Sequence, residues 1–428
     1  MSSNDVRKVA IVAGNRIPFC RANSFYADQS NLDMLTAAIQ GLVDRHQLDG
    51  KQLDAVIAGA VTSHSKDWNL AREAVLSTSL SPLTPGITLQ QACGTSLQAA
   101  LLAAGQIASG QIECAIVAGS DTTSDVPVVF QRRFAQRMVK LSRARSLGQR
   151  LKAFKGFRFS ELTPQPPRNA EPRTGLSMGQ HCERMAKEWS IDREAQDELT
   201  LDSHRKAAAA WDSGFFDHLV SPHAGVIRDN IVRPDTSLEK LASLKPAFDR
   251  KHGTLTAGNA TTLSDGAAAV LLCSEAWAEA NGLPVLATLT AGRTAAVDYV
   301  NQDEGLLMAP TVAVAELLQR EQLSLQDFDF YEIHEAFAAQ VLCTLKAWES
   351  ERYCKERLGL DQPLGAIDRS RMNVRGGSVA IGHPFAATGA RVLSTLAAIL
   401  ERAGSGRGLI SVCTAGGMGV AAIVERER

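Results

Sequence analysis

The chain repeats itself. Laid so that Gln47–Leu48 falls on Gln322–Leu323, the stretch MLTAAIQGLVDRHQLDGKQLDAVIAGAV, from Met34, matches APTVAVAELLQREQLSLQDFDFYEIHEA, from Ala309, without a gap. Leu53–Asp54 then falls on Phe328–Asp329. Two more pairs keep the same order: KVAIVAGNRIPF near the start parallels VLATLTAGRTAAV from Val285, and TSLQAALLAAGQIASGQIECAIVAG from Thr95 parallels TGARVLSTLAAILERAGSGRGLISVCTAGG from Thr388. Apolar runs such as VAIVAG, DAVIAGAV, CAIVAGS and AAAVLLCS alternate with alanine- and leucine-rich stretches of helical period, the α/β pattern. Two similar α/β halves follow, each a sheet covered by helices and related by duplication.

Between the repeats lies a segment of different character. QRRFAQRMVKLSRARSLGQRLKAFKGFRF carries many cations and no acid; after it come a proline-rich stretch, TPQPPRNAEPRTG, and a long polar helix expected from about Met178 to Trp211. Phe134, Met138, Leu141, Leu151 and Phe154 are expected on one face of a helical hairpin, with Arg133, Arg137, Lys140 and Lys152 off it. The whole chain has a formal charge of -1, so bulk nucleic-acid binding is not expected and any electrostatic attraction is local. No apolar run approaches the roughly 18 residues of a membrane span. The N-terminal MSSNDVRKVAIVAG lacks an apolar leader, and the eight cysteines are scattered without metal-type spacing. Reduced thiols and a cytoplasmic location are the expectation, with no metal.

Four stretches carry candidate chemistry. In QQACGTSLQ, Cys93 stands just before a helix whose free N–H groups and dipole are expected to lower a thiol pKa and favour the nucleophilic thiolate; a buried filler is the competing reading. In NVRGGSVAIGHPFAATGAR, His383 precedes the helix that repeats the one after Cys93, so the pseudo-symmetry can bring the two together as base and nucleophile; a structural turn histidine competes. Gly376, Gly377, Gly382 and Gly389 make no dinucleotide fingerprint. In SVCTAGGMG, Cys413 ends a strand before a glycine turn able to form an anion hole; a core cysteine competes. In YEIHEAFAAQ, His334 and Glu335 sit at a strand-to-helix junction without a second zinc-binding histidine; a solvated helix start competes.

These stretches together resemble the thiolase family over essentially the whole chain: a cysteine before a helix, a residue followed by EAFA, a GGxxAxGHPxxxTG loop and a cysteine before a glycine-rich turn, with GTLTAGNATTLSDGAAAVLL and MGQHCERMAKEWSIDREAQDELTLDSHRKA between them. The resemblance implies duplicated βαβαβ halves in a five-layer αβαβα arrangement. Residues 1–127 and 254–276 would form the first half, 128–253 an inserted loop domain, and 277–428 the second half.

It also implies roles. Cys93 would attack a 3-ketoacyl-CoA and carry the acyl group, His383 would take its proton, and Cys413 would protonate the departing acetyl-CoA enolate. His334, through a water, and His383 would stabilise the enolate oxygen; the backbone N–H groups of Cys93 and Ala415 would hold the tetrahedral oxyanion. Met178, Phe248, Ala257, Thr261 and Phe337 would line the CoA path. CoA and acyl-CoA are substrates, and no separate cofactor is implied.

Three positions depart from the family pattern. His334 replaces an asparagine, and Ala415 and Ala386 replace glycines. His334 with GHPF looks like the branch that forms the thiolase subunit of fatty-acid β-oxidation complexes, which implies degradation of medium- or long-chain substrates. A homodimer or homotetramer is implied, with a hydratase/dehydrogenase subunit, an anionic membrane surface or acyl-CoA phosphates as candidate contacts of the basic hairpin. The alternatives are a biosynthetic acetoacetyl-CoA thiolase, a ketoacyl-ACP synthase-like condensing enzyme, which would not need Cys413, and a noncatalytic scaffold.

Overall fold

The computed structural model describes residues 6–301 and 304–427. Among them, one sheet of ten strands runs through the molecule. Its order is Phe330–Ile333, Gly406–Thr414, Met418–Arg426, Ala287–Ala296, Val9–Arg16, Ser264–Ser274, Cys114–Asp121, Ala55–Gly59 and Gly86–Thr88, with Cys20–Arg21 paired beside Ser264–Ser274. The order is symmetric about its middle except for the edge strand Gly86–Thr88, which only the first half has. On either side the first strand pairs antiparallel with the last of its half, that strand antiparallel with the third, and the third parallel with the second. Only two residue pairs, Ala10 with Thr288 and Ile11 with Ala287, join the halves at the centre.

The sequence repeat has local physical counterparts. Helices Asn31–Arg45 and Ala309–Glu321 both end before a glutamine in the left-handed region, Gln47 at φ 53° and Gln322 at φ 54°. Asp54 accepts from the N–H of Cys114 at 3.2 Å, and Asp329 from that of Arg407 at 2.9 Å, so each aspartate holds the start of the next parallel strand. An acidic cap of this kind satisfies donors that the strand edge would leave bare.

Burial sorts the helices into layers. Helix Thr388–Ala403 is buried from Thr388 to Leu400, as a helix enclosed on all sides must be. It packs with helix Thr95–Ala108 in a core that takes one face of both half-sheets, including Ile11, Val117 and Val270 from one and Ile410, Val412 and Val420 from the other. A second core, with Leu35, Ile39 and Val75, covers the outer face of the first half; a third, with Val314, Leu317 and Trp348, covers the second. The result is five layers, αβαβα. The central helices touch backbone to backbone: a Cβ on Gly389 would lie 2.3 Å from the Leu97 nitrogen, so only glycine fits there.

The connection from third to fourth strand differs between halves. In the second it is the turn 415–417; in the first it runs from 122 to 263. That segment holds the hairpin helices Arg132–Ser142 and Leu147–Ala153. The long helix expected from Met178 to Trp211 is instead two helices, Met178–Glu188 and Arg193–Asp212. The chain breaks at Ser190, φ 49°, and restarts where Asp192 caps the N–H of Ala195. In the hairpin Phe134, Met138 and Leu141 are half-buried, but Leu151 and Phe154 are exposed. Arg137 is not a free cation: its Nε donates to Glu161 at 2.7 Å and its other nitrogens bind the carbonyls of Ala153, Lys155 and Gly156. Among the described residues no helix is long and apolar enough to cross a membrane.

Candidate active site

The turn that carries Cys93 is set by its neighbours. Ala92 takes φ 45°, a conformation that costs a non-glycine residue about 1 kcal/mol or more. Thr95 holds it there, its hydroxyl donating to the Ala92 carbonyl at 2.7 Å and accepting from the Gln91 N–H at 2.9 Å. Of the eight cysteines, Cys93 is half-buried and the other seven are buried. The turn opposite is built on Gly382, φ 109°, where a Cβ would meet Ser264 and Ile231. The Ser264 hydroxyl accepts from the His383 N–H at 3.1 Å.

The two turns meet. His383 Nε2 lies 3.2 Å from Cys93 Sγ, while Nδ1 lies 2.6 Å from the Thr388 hydroxyl. His334 stacks obliquely on His383 with ring centroids 4.2 Å apart. Cys413, at the end of strand Gly406–Thr414, is buried and close enough to Cys93 for a charge on that sulfur to be felt at the Cys413 thiol. The backbone amides of Ala415 and of Cys93 itself lie near enough to Cys93 Sγ to favour its thiolate. Ala415 is outside the left-handed region; Gly416, φ 79°, and Gly417, φ 70°, make the bend, so alanine costs nothing there. Ala386 is likewise accommodated, its N–H donating to Asp121 at 2.7 Å.

The electrostatics differ from the expectation of a lowered thiol pKa. Two donors at the start of the helix are spent inside the turn, Gly94 N–H on the Gln91 carbonyl and Thr95 N–H on that of Ala92. Burial then outweighs the dipole and the two N–H groups at the sulfur, pushing the Cys93 thiol up to about 12. Burial, with Arg391 nearby, pushes His383 down to about 3. The resting pair is a neutral thiol beside a neutral imidazole, not an ion pair. His334, lowered by burial, His383 and Arg391, is neutral too, and burial raises the Cys413 thiol.

His334 and Glu335 are not a solvated helix start. Both are buried, and the helix begins later, at Ala338. Glu335 accepts from Asn373 at 2.6 Å and Ser203 at 2.8 Å, tying the GHP loop to helix Arg193–Asp212. A Cβ on Gly377 would overlap this carboxylate, which explains that glycine. Other supports are side chains that sequence reasoning missed. Buried Asp121, raised to about 6 by burial, accepts from Val61, Thr62 and Ala386 and so joins loops of both halves. Glu171 accepts from the Gly416 N–H at 2.8 Å and from the Tyr299 hydroxyl at 2.9 Å. An aspartate at a strand end was the only signal for the first, and nothing marked the second.

The residues expected along the CoA path gather unequally. Met178, Phe248 and Phe337 share an apolar cluster with Cys413, and the rings of Phe248 and Phe337 meet edge to face at 5.9 Å. Thr261 bonds the Ala336 and Ser378 carbonyls. Ala257 is exposed on a neighbouring turn, outside that cluster. Beside Phe248 a groove is lined by Leu176, Gln180, Arg184, Lys187 and Arg250. Among the described residues no cluster of three or more His, Cys, Asp or Glu is arranged to hold a metal.

A duplicated five-layer α/β scaffold that presents a cysteine and a histidine from matched helix starts defines an acyl-transfer site built on a thiol. The chain matches the thiolase N-terminal domain over residues 9–276 and the thiolase C-terminal domain over 283–426. It is 42% identical to the 3-ketoacyl-CoA thiolase of Shewanella loihica, over 98% of this chain and 97% of that one, and 41% identical to the enzyme of the same name from Shewanella woodyi over the same shares. The crystal structure of the Bacillus anthracis acetyl-CoA acetyltransferase superposes with a TM-score of 0.81 at 30% identity, covering 99% of this chain and 100% of that one. Human mitochondrial 3-ketoacyl-CoA thiolase in complex with CoA gives 0.81 at 27% identity, covering 99% of each chain. The protein belongs to the thiolase family and is an acyltransferase.

Proposed function

We propose that this protein is a 3-ketoacyl-CoA thiolase of fatty-acid β-oxidation, cleaving 3-ketoacyl-CoA with CoA to acyl-CoA and acetyl-CoA. The observation that carries the reading is the 3.2 Å approach of His383 Nε2 to Cys93 Sγ with the Ala415 and Cys93 N–H groups at the same sulfur. Cys93 attacks the C3 carbonyl as its proton passes to His383; the N–H groups hold the oxyanion that forms. Because the resting pair is neutral, charge develops only as the bond forms, where preorganised donors lower the barrier most. The C2–C3 bond then breaks. His383, now protonated, and a water on His334 stabilise the enolate oxygen, and Cys413 protonates its carbon. CoA, giving its thiol proton to the Cys413 thiolate, takes the acyl group, and His383 returns its proton to the released Cys93 sulfur.

For CoA the reading places pantetheine along Met178, Phe248, Thr261 and Phe337, Ala257 at its edge, and the phosphates toward the Arg184 and Arg250 side of the groove. The inserted segment 128–253 would serve as the CoA-binding domain, and we place the enzyme in the cytoplasm as a homodimer or homotetramer. The short edge strand Gly86–Thr88, with Ile87 48% exposed, supports self-association. Exposed Val129 and Phe130 just before the cationic 131–159 run, and Leu147 and Phe159 within it, support a partner subunit or a membrane surface as the contact of the hairpin.

A chain-length series of CoA-dependent cleavage rates tests the function. Turnover of medium- and long-chain 3-ketoacyl-CoA is expected; activity confined to the four-carbon substrate would refute the β-oxidation role.

A further inference from the structure

Behind His334 lies a buried chain of polar groups that the thiolysis steps do not use. Arg391, on the central helix Thr388–Ala403, is 1% exposed and donates from Nη2 to the Ser378 hydroxyl at 2.6 Å. Ser378, fully buried, places the same hydroxyl 2.8 Å from His334 Nδ1. Glu332, also buried, stands 3.7 Å from Arg391 Nη1, its carboxyl pushed up to about 8 by burial. At the far end, His334 Nε2 is buried with no partner in the protein.

Counting donors fixes the direction of this chain. A guanidinium has no acceptor, so the Arg391–Ser378 bond can only run toward the serine oxygen. The serine has one hydrogen of its own, and His334 Nδ1 is the side-chain acceptor in reach. If Nδ1 carried the proton instead, two donors would face one hydroxyl whose own hydrogen would be left without a partner in the core, at a cost of about 1–3 kcal/mol. We infer that Arg391 and Ser378 are positioning residues that hold His334 as the Nε2–H tautomer, so that its unpartnered nitrogen is a hydrogen-bond donor facing the reaction. A donor is what a developing enolate oxygen, or the water that solvates it, requires; the other tautomer would present a lone pair and repel it. The arrangement also gives a histidine the sense of the asparagine amide that the family pattern carries there: an N–H toward the ligand. Burial, with His383 and then Arg391 nearby, opposes a second proton and keeps the imidazole neutral.

This inference rests on the thiolase reading for what the donor serves, but its primary test does not need turnover. The protein labelled with 15N-histidine contains nine histidines, and the His334 signals are those lost in His334→Asn. A bare Nδ1 and a protonated Nε2, unchanged from about pH 6 to about pH 8, are expected. A protonated Nδ1 overturns the proposal, whatever the enzyme turns over. The second measurement is a double-mutant cycle. Ser378→Ala is expected to lower kcat on the order of tenfold or more with the KM for CoA unchanged, and to have no further effect in the His334→Asn background. Equal losses in both backgrounds would mean that Ser378 only packs the loop, and would overturn it as well.

Discussion

The two halves are one topology used for two purposes. Apart from the helix Leu70–Ser77 and edge strand Gly86–Thr88 added in the first, each carries the same four paired strands, ending in a last antiparallel one, and each turns the start of its central helix toward the other. The first half offers a thiol on a strained turn, Ala92 at φ 45° locked by Thr95; the second offers an imidazole on a glycine turn, braced by Ser264 and Thr388. The halves differ again after the third strand. The second closes in three residues and puts Cys413 at the site; the first opens there into residues 122–263, which reach back over the second half through Glu171 on Gly416 and Ser203 on Glu335. A duplicated scaffold thus supplies unlike reactive groups at like positions, and one expanded turn supplies the cover.

The sharpest way to break this comparison is to remove the reactive group from each half. Cys93→Ala is expected to cost thiolysis about ten-thousandfold or more with the fold intact, measured as kcat/KM. Next in size is a pH effect. With the thiol near 12 and His383 near 3, the thiolate fraction rises with pH throughout the range between, so iodoacetamide should alkylate Cys93 about a thousandfold faster at about pH 9 than at about pH 6. A rate flat over that interval would show an ion pair already formed. In the second half, Cys413→Ala is expected to lower carbon–carbon cleavage on the order of a hundredfold; a loss as large as that of Cys93→Ala would erase the difference assigned to the two cysteines.

The smaller effects concern stability of the shared central layer. Gly389→Ala, which would press a Cβ onto the Leu97 backbone, should cost about 1–3 kcal/mol in denaturant unfolding. Gly105→Ala, in the partner helix with open space around it, should gain about 0.5–1 kcal/mol. Similar signs at both sites would contradict the close backbone contact.

The periodic parts of this molecule were legible before any coordinates. Aspartates 54 and 329 and glutamines 47 and 322 marked the repeat, and the repeat indicated that the turns of Cys93 and His383 occupy corresponding ends. What was not legible lies in long-range side-chain partners and in burial. Nothing around Ser190 announces a left-handed residue, so one helix was read where there are two. Arg137 lies in a run without acids, yet its carboxylate comes from Glu161 just beyond it. The helix after Cys93 suggests an acidified thiol, but burial, with the first helix N–H groups spent inside the turn, reverses that sign. Nothing in the spacing of Ser378 and Arg391 marks them as partners; only the fold lays them behind His334.

The central claim is that Cys93 carries the acyl group between two halves that meet at its sulfur. Intact-mass measurement after mixing the protein with 3-ketoacyl-CoA in the absence of free CoA tests it most directly. The account predicts one acyl group per chain, mapped to the Cys93 peptide, absent in Cys93→Ala and discharged on adding CoA; no adduct, or an adduct that survives in Cys93→Ala, would contradict it.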